Sequence, residues 1–129
     1  MKRAAMTALA LTMALLGVSL ASAGDSAYRQ ATMEQAMELM SGDMPHIILD
    51  VRTKAEYDSG HIPGAICIPN ETIGSTDIPE LPDKDQLILV YCRSGNRSKQ
   101  AAGKLAKLGY TNIVEFGGIH AWQGELVIE

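Results

Sequence analysis

Cys92-Arg93-Ser94-Gly95-Asn96-Arg97-Ser98 brings a thiol, a glycine, two guanidinium groups and two hydroxyls together in one short stretch. A cysteine attacks as the thiolate, and a free thiol loses its proton only near pH ~8.5. Backbone N–H groups of a glycine-containing loop that opens a helix converge on an anion, and the helix end adds partial positive charge. Arg93 and Arg97 add full charges where their side chains turn inward. This chemistry predicts a nucleophile already ionised at neutral pH. Cys92 is the candidate catalytic residue, and Arg93, Ser94, Gly95, Asn96, Arg97 and Ser98 are the candidate substrate-binding residues. A plain surface turn around a small buried cysteine is the alternative, and it leaves so dense a cluster without a reason.

Such a loop needs a strand before it and a helix after it. Leu87-Ile88-Leu89-Val90-Tyr91 is a continuous apolar run, the pattern of a parallel strand covered on both faces. Cys92 is read as the first residue beyond it. A helix follows from about Ser98 to Leu108, stopped by Gly109. Upstream, Thr32 and Gln35 form a capping box for a helix reaching Ser41. His46 to Val51 is a strand, Thr53 to Ser59 a short helix, and Ala65 to Ile68 a strand. Prolines 79 and 82 keep the path irregular to Asp85. Asn112 to Phe116 is another strand, and a last short helix falls near Ile119 to Trp122. The alternation predicts an α/β domain with a central, mostly parallel sheet of about five strands and helices on both faces. In such sheets ligands bind beyond the carboxyl ends of the strands, where Cys92 falls.

The chain begins with Lys2-Arg3, continues uncharged from Ala4 to Leu20 and reaches Ala21-Ser22-Ala23, a small-x-small cleavage site. Residues 1–23 are read as a cleaved signal peptide and 24–129 as one domain, which predicts a periplasmic or secreted protein. A retained membrane anchor is the competing reading. The formal net charge is −4, and the leader holds two of the 11 basic residues but none of the acidic ones, so cleavage makes the protein more acidic. An acidic surface argues against nucleic acid or anionic membrane as partner. In an oxidising compartment, a Cys67–Cys92 disulfide competes with a free thiol.

Three ordered stretches resemble the signatures of the single-domain rhodaneses, the sulfurtransferase family. Leu49-Asp50-Val51-Arg52, with Glu56-Tyr57 and Gly60-His61-Ile62-Pro63-Gly64-Ala65, resembles the first. The Cys92 loop resembles the active site, and Gly117-Gly118-Ile119 with Ala121-Trp122 resembles the closing signature. The resemblance spans about residues 28–128. It implies the rhodanese fold and a persulfide on the loop cysteine. The Cys92 thiolate then takes the outer sulfur of thiosulfate or a small persulfide and passes it to cyanide or a thiol. The N–H groups of residues 93 to 97 hold the outer sulfur, and Arg93 and Arg97 orient the anionic donor. No metal or organic cofactor is required. The partners are a small sulfur donor, a thiol acceptor and, in an oxidising compartment, a thiol-reducing protein.

Two other chemistries compete. Cysteine phosphatases share the thiolate in an N–H cradle, but five residues separate their cysteine and arginine, whereas four separate Cys92 from Arg97. A redox or sulfur-binding module would instead use Cys67 and Cys92 as a reversible pair. Asp50, Arg52 and Glu56 are read as a carboxylate–arginine brace, His61 as a residue stabilising its motif, and Trp122 as packing beside the active loop. Met33, Met37 and Met40 recur at helical spacing and are read as one core-facing stripe. His46, His61 and His120 have no ligand spacing, so no metal site is assigned.

Overall fold

The structure is a computed structural model and describes residues 27–129. The leader read over residues 1–23 lies outside the described residues. Among the described residues five parallel strands form a single sheet: β1 (Arg29–Gln30), β2 (His46–Asp50), β3 (Ile66–Cys67), β4 (Leu87–Cys92) and β5 (Ile113–Gly118), in the order β1-β5-β4-β2-β3. The helices are α1 (Met33–Ser41), α2 (Lys54–Asp58) and α3 (Asn96–Lys107), with 3₁₀ turns at Asn70–Thr72 and Ile119–Ala121.

Strand β4 explains the layering. Its side chains alternate strictly: Ile88, Val90 and Cys92 enter the cluster beneath α3 with Ala101, Ala102 and Leu105. Leu87, Leu89 and Tyr91 enter the opposite cluster with Ala36 and Leu39 of α1. All six β4 residues are buried, as a central strand covered on both faces requires. Burying Leu39 alone contributes about 2 kcal/mol. A charge at that position would open the α1 layer.

The two capping boxes that begin α1 and α2 form from Thr32 with Gln35 and from Thr53 with Glu56. Several boundaries differ from those read in the sequence. Cys92 is the last residue of β4, not the first beyond it, because it still pairs with Gly118 after a register shift. Helix α3 begins at Asn96, two residues early, which places Asn96, Arg97 and Ser98 in its first turn. Strand β1 is an addition, too short to leave a period in the sequence. The final helix is only a 3₁₀ turn. Met33, Met40 and Met44 pack in the α1 cluster, whereas Met37 turns outward beside Glu34, Glu38, Ser41 and Gln123.

Candidate active site

Cys92 ends β4 with its side chain pointing toward α3, almost fully buried. Gly95 is the N-cap of α3 with φ 111°, a left-handed conformation that glycine adopts without strain. That turn brings the Gly95 N–H to 3.0 Å from Cys92 Sγ. The Ser98 hydroxyl lies 3.5 Å from the same sulfur. Burial pushes the thiol pKa up, but the Ser98 hydroxyl and the N–H groups of Ser98, Gly95 and Ser94 outweigh it, so Cys92 stays below the ordinary thiol value. The helix has no side-chain N-cap, which leaves its first N–H groups open to an anion.

The six residues after Cys92 divide by position. Arg93, Ser94 and Asn96 are exposed at the mouth. Gly95 and Ser98 are buried beside the sulfur. The Arg97 guanidinium is held in two bonds to Glu56, at 2.7 and 3.1 Å. Besides the substrate-orienting role read for it, the guanidinium ties α3 to α2. Glu56 in turn caps α2 by accepting from the Thr53 N–H at 3.0 Å. The Arg97 pair holds the Glu56 carboxyl down at about 2. Ser98 also faces the floor of the site and not its mouth.

Behind the strand ends, Asp50 takes a bidentate grip from Arg52, with a shortest contact of 2.7 Å. Arg52 also donates to Gly60 O at 2.8 Å. The Tyr91 hydroxyl donates to Asp50 at 2.7 Å and accepts from the Ile62 N–H at 3.1 Å. Burial above all raises the Tyr91 pKa far beyond its ordinary value, so the phenol stays neutral. This network joins β2, β4 and the Gly60–Ile62 turn. His61 is buried, its ring stacked on Tyr57 at 3.6 Å and donating from Nδ1 to Tyr57 O at 2.8 Å.

Trp122 is corrected. It packs into the α1-side cluster and lines a hollow with Met40, His46, Ile48, Pro63 and Gly64, on the face of the sheet away from the Cys92 side chain. Its indole N–H donates to Glu125 O at 3.1 Å.

Cys67 and Cys92 are both free thiols. Cys67 pairs with Asp50, and Asp50 pairs with Tyr91, so two strand spacings separate the cysteines. At roughly 4.8 Å per strand their Cα atoms are about 10 Å apart, beyond the ~7 Å reach of a disulfide. Their side chains also leave opposite faces, since the flanking Ile66 and Ile68 join the cluster that holds Cys92. Burial pushes the Cys67 thiol up to about 11, opposite in direction to Cys92.

Three residues have site roles that the sequence does not assign them: Tyr91, Gly118 and Glu115. Tyr91 read as one more apolar strand residue. A Cβ on Gly118 would lie 2.1 Å from Arg93 O, so glycine there lets β5 approach the active loop. Glu115 is a buried carboxylate within the apolar run Ile113-Val114-Glu115-Phe116, and that isolation was the available signal.

Fold and site define a class: a parallel α/β domain that holds a buried cysteine in a backbone N–H cradle at the carboxyl edge of its sheet. The chain belongs to the rhodanese-like domain family, whose profile matches residues 32–125. It is an enzyme of the sulfurtransferase class. It is 37% identical over 71 residues to thiosulfate sulfurtransferase PspE of Escherichia coli, covering 55% of this chain and 68% of that protein. A sulfurtransferase of Allochromatium vinosum is 42% identical over 77 residues, covering 59% of this chain and 70% of the relative. A solved rhodanese with anions from E. coli superposes with a TM-score of 0.59 at 32% identity, covering 65% of this chain and 99% of that one.

Proposed function

We propose that Cys92 carries the transferred sulfur as a persulfide, with thiosulfate or a small persulfide as donor and a thiol or cyanide as acceptor. The observation that carries this reading is the Gly95 N–H at 3.0 Å from Cys92 Sγ, at the uncapped start of α3. The thiolate attacks the outer sulfur of the donor. A new S–S bond forms, and the donor's own S–S bond breaks with its electron pair leaving on sulfite or a thiolate. The resulting Cys92 persulfide anion then lies among the N–H groups of the α3 first turn, which act as fixed donors for it. An acceptor thiolate takes the outer sulfur, and the electrons of the broken bond return to Cys92. Exposed Arg93 meets the anionic donor, while the Arg97–Glu56 pair keeps the cradle in shape.

Thiosulfate is also the donor in the name of the E. coli relative. The segment over residues 1–23 supports export and cleavage, which makes 24–129 the working domain in a periplasmic or extracellular setting. A thiol-reducing protein is then the natural partner for keeping Cys92 free. Among the described residues no helix is long and apolar enough to cross a membrane.

Steady-state kinetics with thiosulfate and cyanide test the scheme. Parallel double-reciprocal lines are expected for the wild type and no turnover for Cys92→Ser. Intersecting lines, or turnover by the serine variant, would rule out a covalent sulfur carrier at Cys92.

A further inference from the structure

Beneath the active sulfur lies a buried carboxylate that the scheme above does not use. Glu115, on β5, points to the α3 side of the sheet and accepts three hydrogen bonds. Ser98 Oγ donates to Oε2 at 2.5 Å, the Gly117 N–H donates to the same oxygen at 2.8 Å, and Gln30 Nε2 of β1 donates to Oε1 at 3.1 Å. Ser98 Oγ is also the group 3.5 Å from Cys92 Sγ. A hydroxyl has one proton. Gly95 O lies 2.9 Å from the same hydroxyl and competes for that proton, but the 2.5 Å contact to Glu115 is the shorter, and the Cys92 thiol donates to Ser98 Oγ, so the carboxylate holds the hydroxyl proton at rest.

We infer that Glu115, a positioning residue acting through Ser98, takes up the Cys92 thiol proton as the sulfur becomes nucleophilic and returns it when the sulfur is expelled. The inference rests on the reading of Cys92 as the sulfur-carrying nucleophile. Two protons each move across one hydrogen bond: the S–H proton passes to Ser98 Oγ, and the Ser98 proton passes to Glu115 Oε2. The products are a thiolate, a Ser98 hydroxyl that now donates to it, and a neutral Glu115 carboxyl. The net charge of the group is unchanged, and no external base enters a buried site. When the acceptor removes the outer sulfur, the bond electrons return to Cys92 and the proton comes back by the same route.

Cys92 and Glu115 thus share one transferable proton across Ser98. Among the described residues, Arg97 of α3, held by Glu56 of α2, acts electrostatically on Cys92, and Arg93 is exposed on the loop next to it. Glu71 lies within electrostatic reach of Arg97. Asp50, Arg52 and Tyr91 form their own network behind the strand ends.

The test is the rate of Cys92 alkylation by iodoacetamide against pH, in the full chain on a Cys67→Ser background that leaves one thiol. The wild type is expected to give two steps. Glu115→Gln keeps the shape, removes the charge and frees the Ser98 proton, so it should give one step, with a midpoint lower than the wild-type upper step by about one unit or more. That corresponds to roughly tenfold more thiolate below the midpoint. A Glu115→Gln profile that superimposes on the wild type, or moves upward, overturns the inference. Should that variant not fold, Ser98→Ala decides. It retains the carboxylate but removes the hydroxyl that stabilises the thiolate while Glu115 holds the proton, so the lower step should lose most of its amplitude, and a lower step of unchanged amplitude overturns the inference. Alkylation needs no sulfur donor, so it remains readable even if sulfur transfer itself fails.

Discussion

Replacing Gly118 by alanine should disable the enzyme without touching any chemical group in it. Gly118 has φ −125° and ψ 155°, a region open to every residue, so the substitution brings no backbone strain of its own. Its cost is space. The new Cβ would meet Arg93 O at 2.1 Å, Arg93 C at 2.6 Å and Ser94 Cα at 2.7 Å, all backbone atoms of the active loop. A carbon and an oxygen settle at about 3.3 Å or more, so the loop must retreat by roughly 1 Å. The Gly95 N–H, now 3.0 Å from the sulfur, moves with it. Retreat by that amount removes the hydrogen bond. Overpacking of this kind costs about 1–3 kcal/mol of stability, and a 1 Å misplacement at a reacting centre costs on the order of 10²-fold in rate. The assay is kcat/KM for thiosulfate-to-cyanide transfer, with the alkylation midpoint of Cys92 and Tm measured in parallel. The control is Gly103→Ala within α3, where nothing lies within 4 Å of the new Cβ. It should gain about 0.5–1 kcal/mol with an unchanged rate. A Gly118→Ala enzyme with wild-type rate and midpoint would refute the claim that this close approach shapes the cradle.

Other consequences are open to measurement. Diamide oxidation followed by non-reducing mass analysis should leave Cys67 and Cys92 unbridged, and Cys67→Ser should retain its rate; a quantitative intrachain disulfide would contradict the observed register. Glu56 is lowered from its ordinary 4.5 to about 2 chiefly by Arg97, so its folded pKa lies below the unfolded one. The stabilisation is complete above about pH 4.5 and disappears as pH falls toward 2; because the pair is nearly a third exposed, it amounts to about 1 kcal/mol. The Tm gap between wild type and Glu56→Gln should hold steady above that pH and close below it. Arg93→Ala should raise KM for thiosulfate several-fold and soften its salt dependence, while stability stays within about 0.5 kcal/mol of wild type. An equal loss of stability would make Arg93 a structural residue.

Much of this architecture is legible in the chain because its signals are local. Leu87 to Tyr91 announces a buried parallel strand, the paired Thr-x-x-Gln and Thr-x-x-Glu boxes start two helices, and Cys92 with Gly95 marks the turn between strand and helix. What stays hidden depends on partners distant in sequence. Arg97 reads as a free cation until Glu56, forty-one residues away, is seen to hold it. Trp122 reads as packing beside the active loop, yet it follows the 3₁₀ turn into the α1-side layer. Glu115 gains its meaning only when β5 is laid beside β4 and its side chain falls under Ser98. The two-residue β1 strand carries no periodicity, yet Gln30 on it helps to hold that carboxylate.

The central claim is a sulfur atom carried on Cys92, and intact-mass analysis after incubation with thiosulfate tests it most directly. The account predicts that the wild-type protein gains the mass of one sulfur atom, that cyanide removes it, and that Cys92→Ser gains none. A serine variant that still acquires the sulfur, or a wild-type protein that turns over thiosulfate without ever acquiring it, would contradict the account.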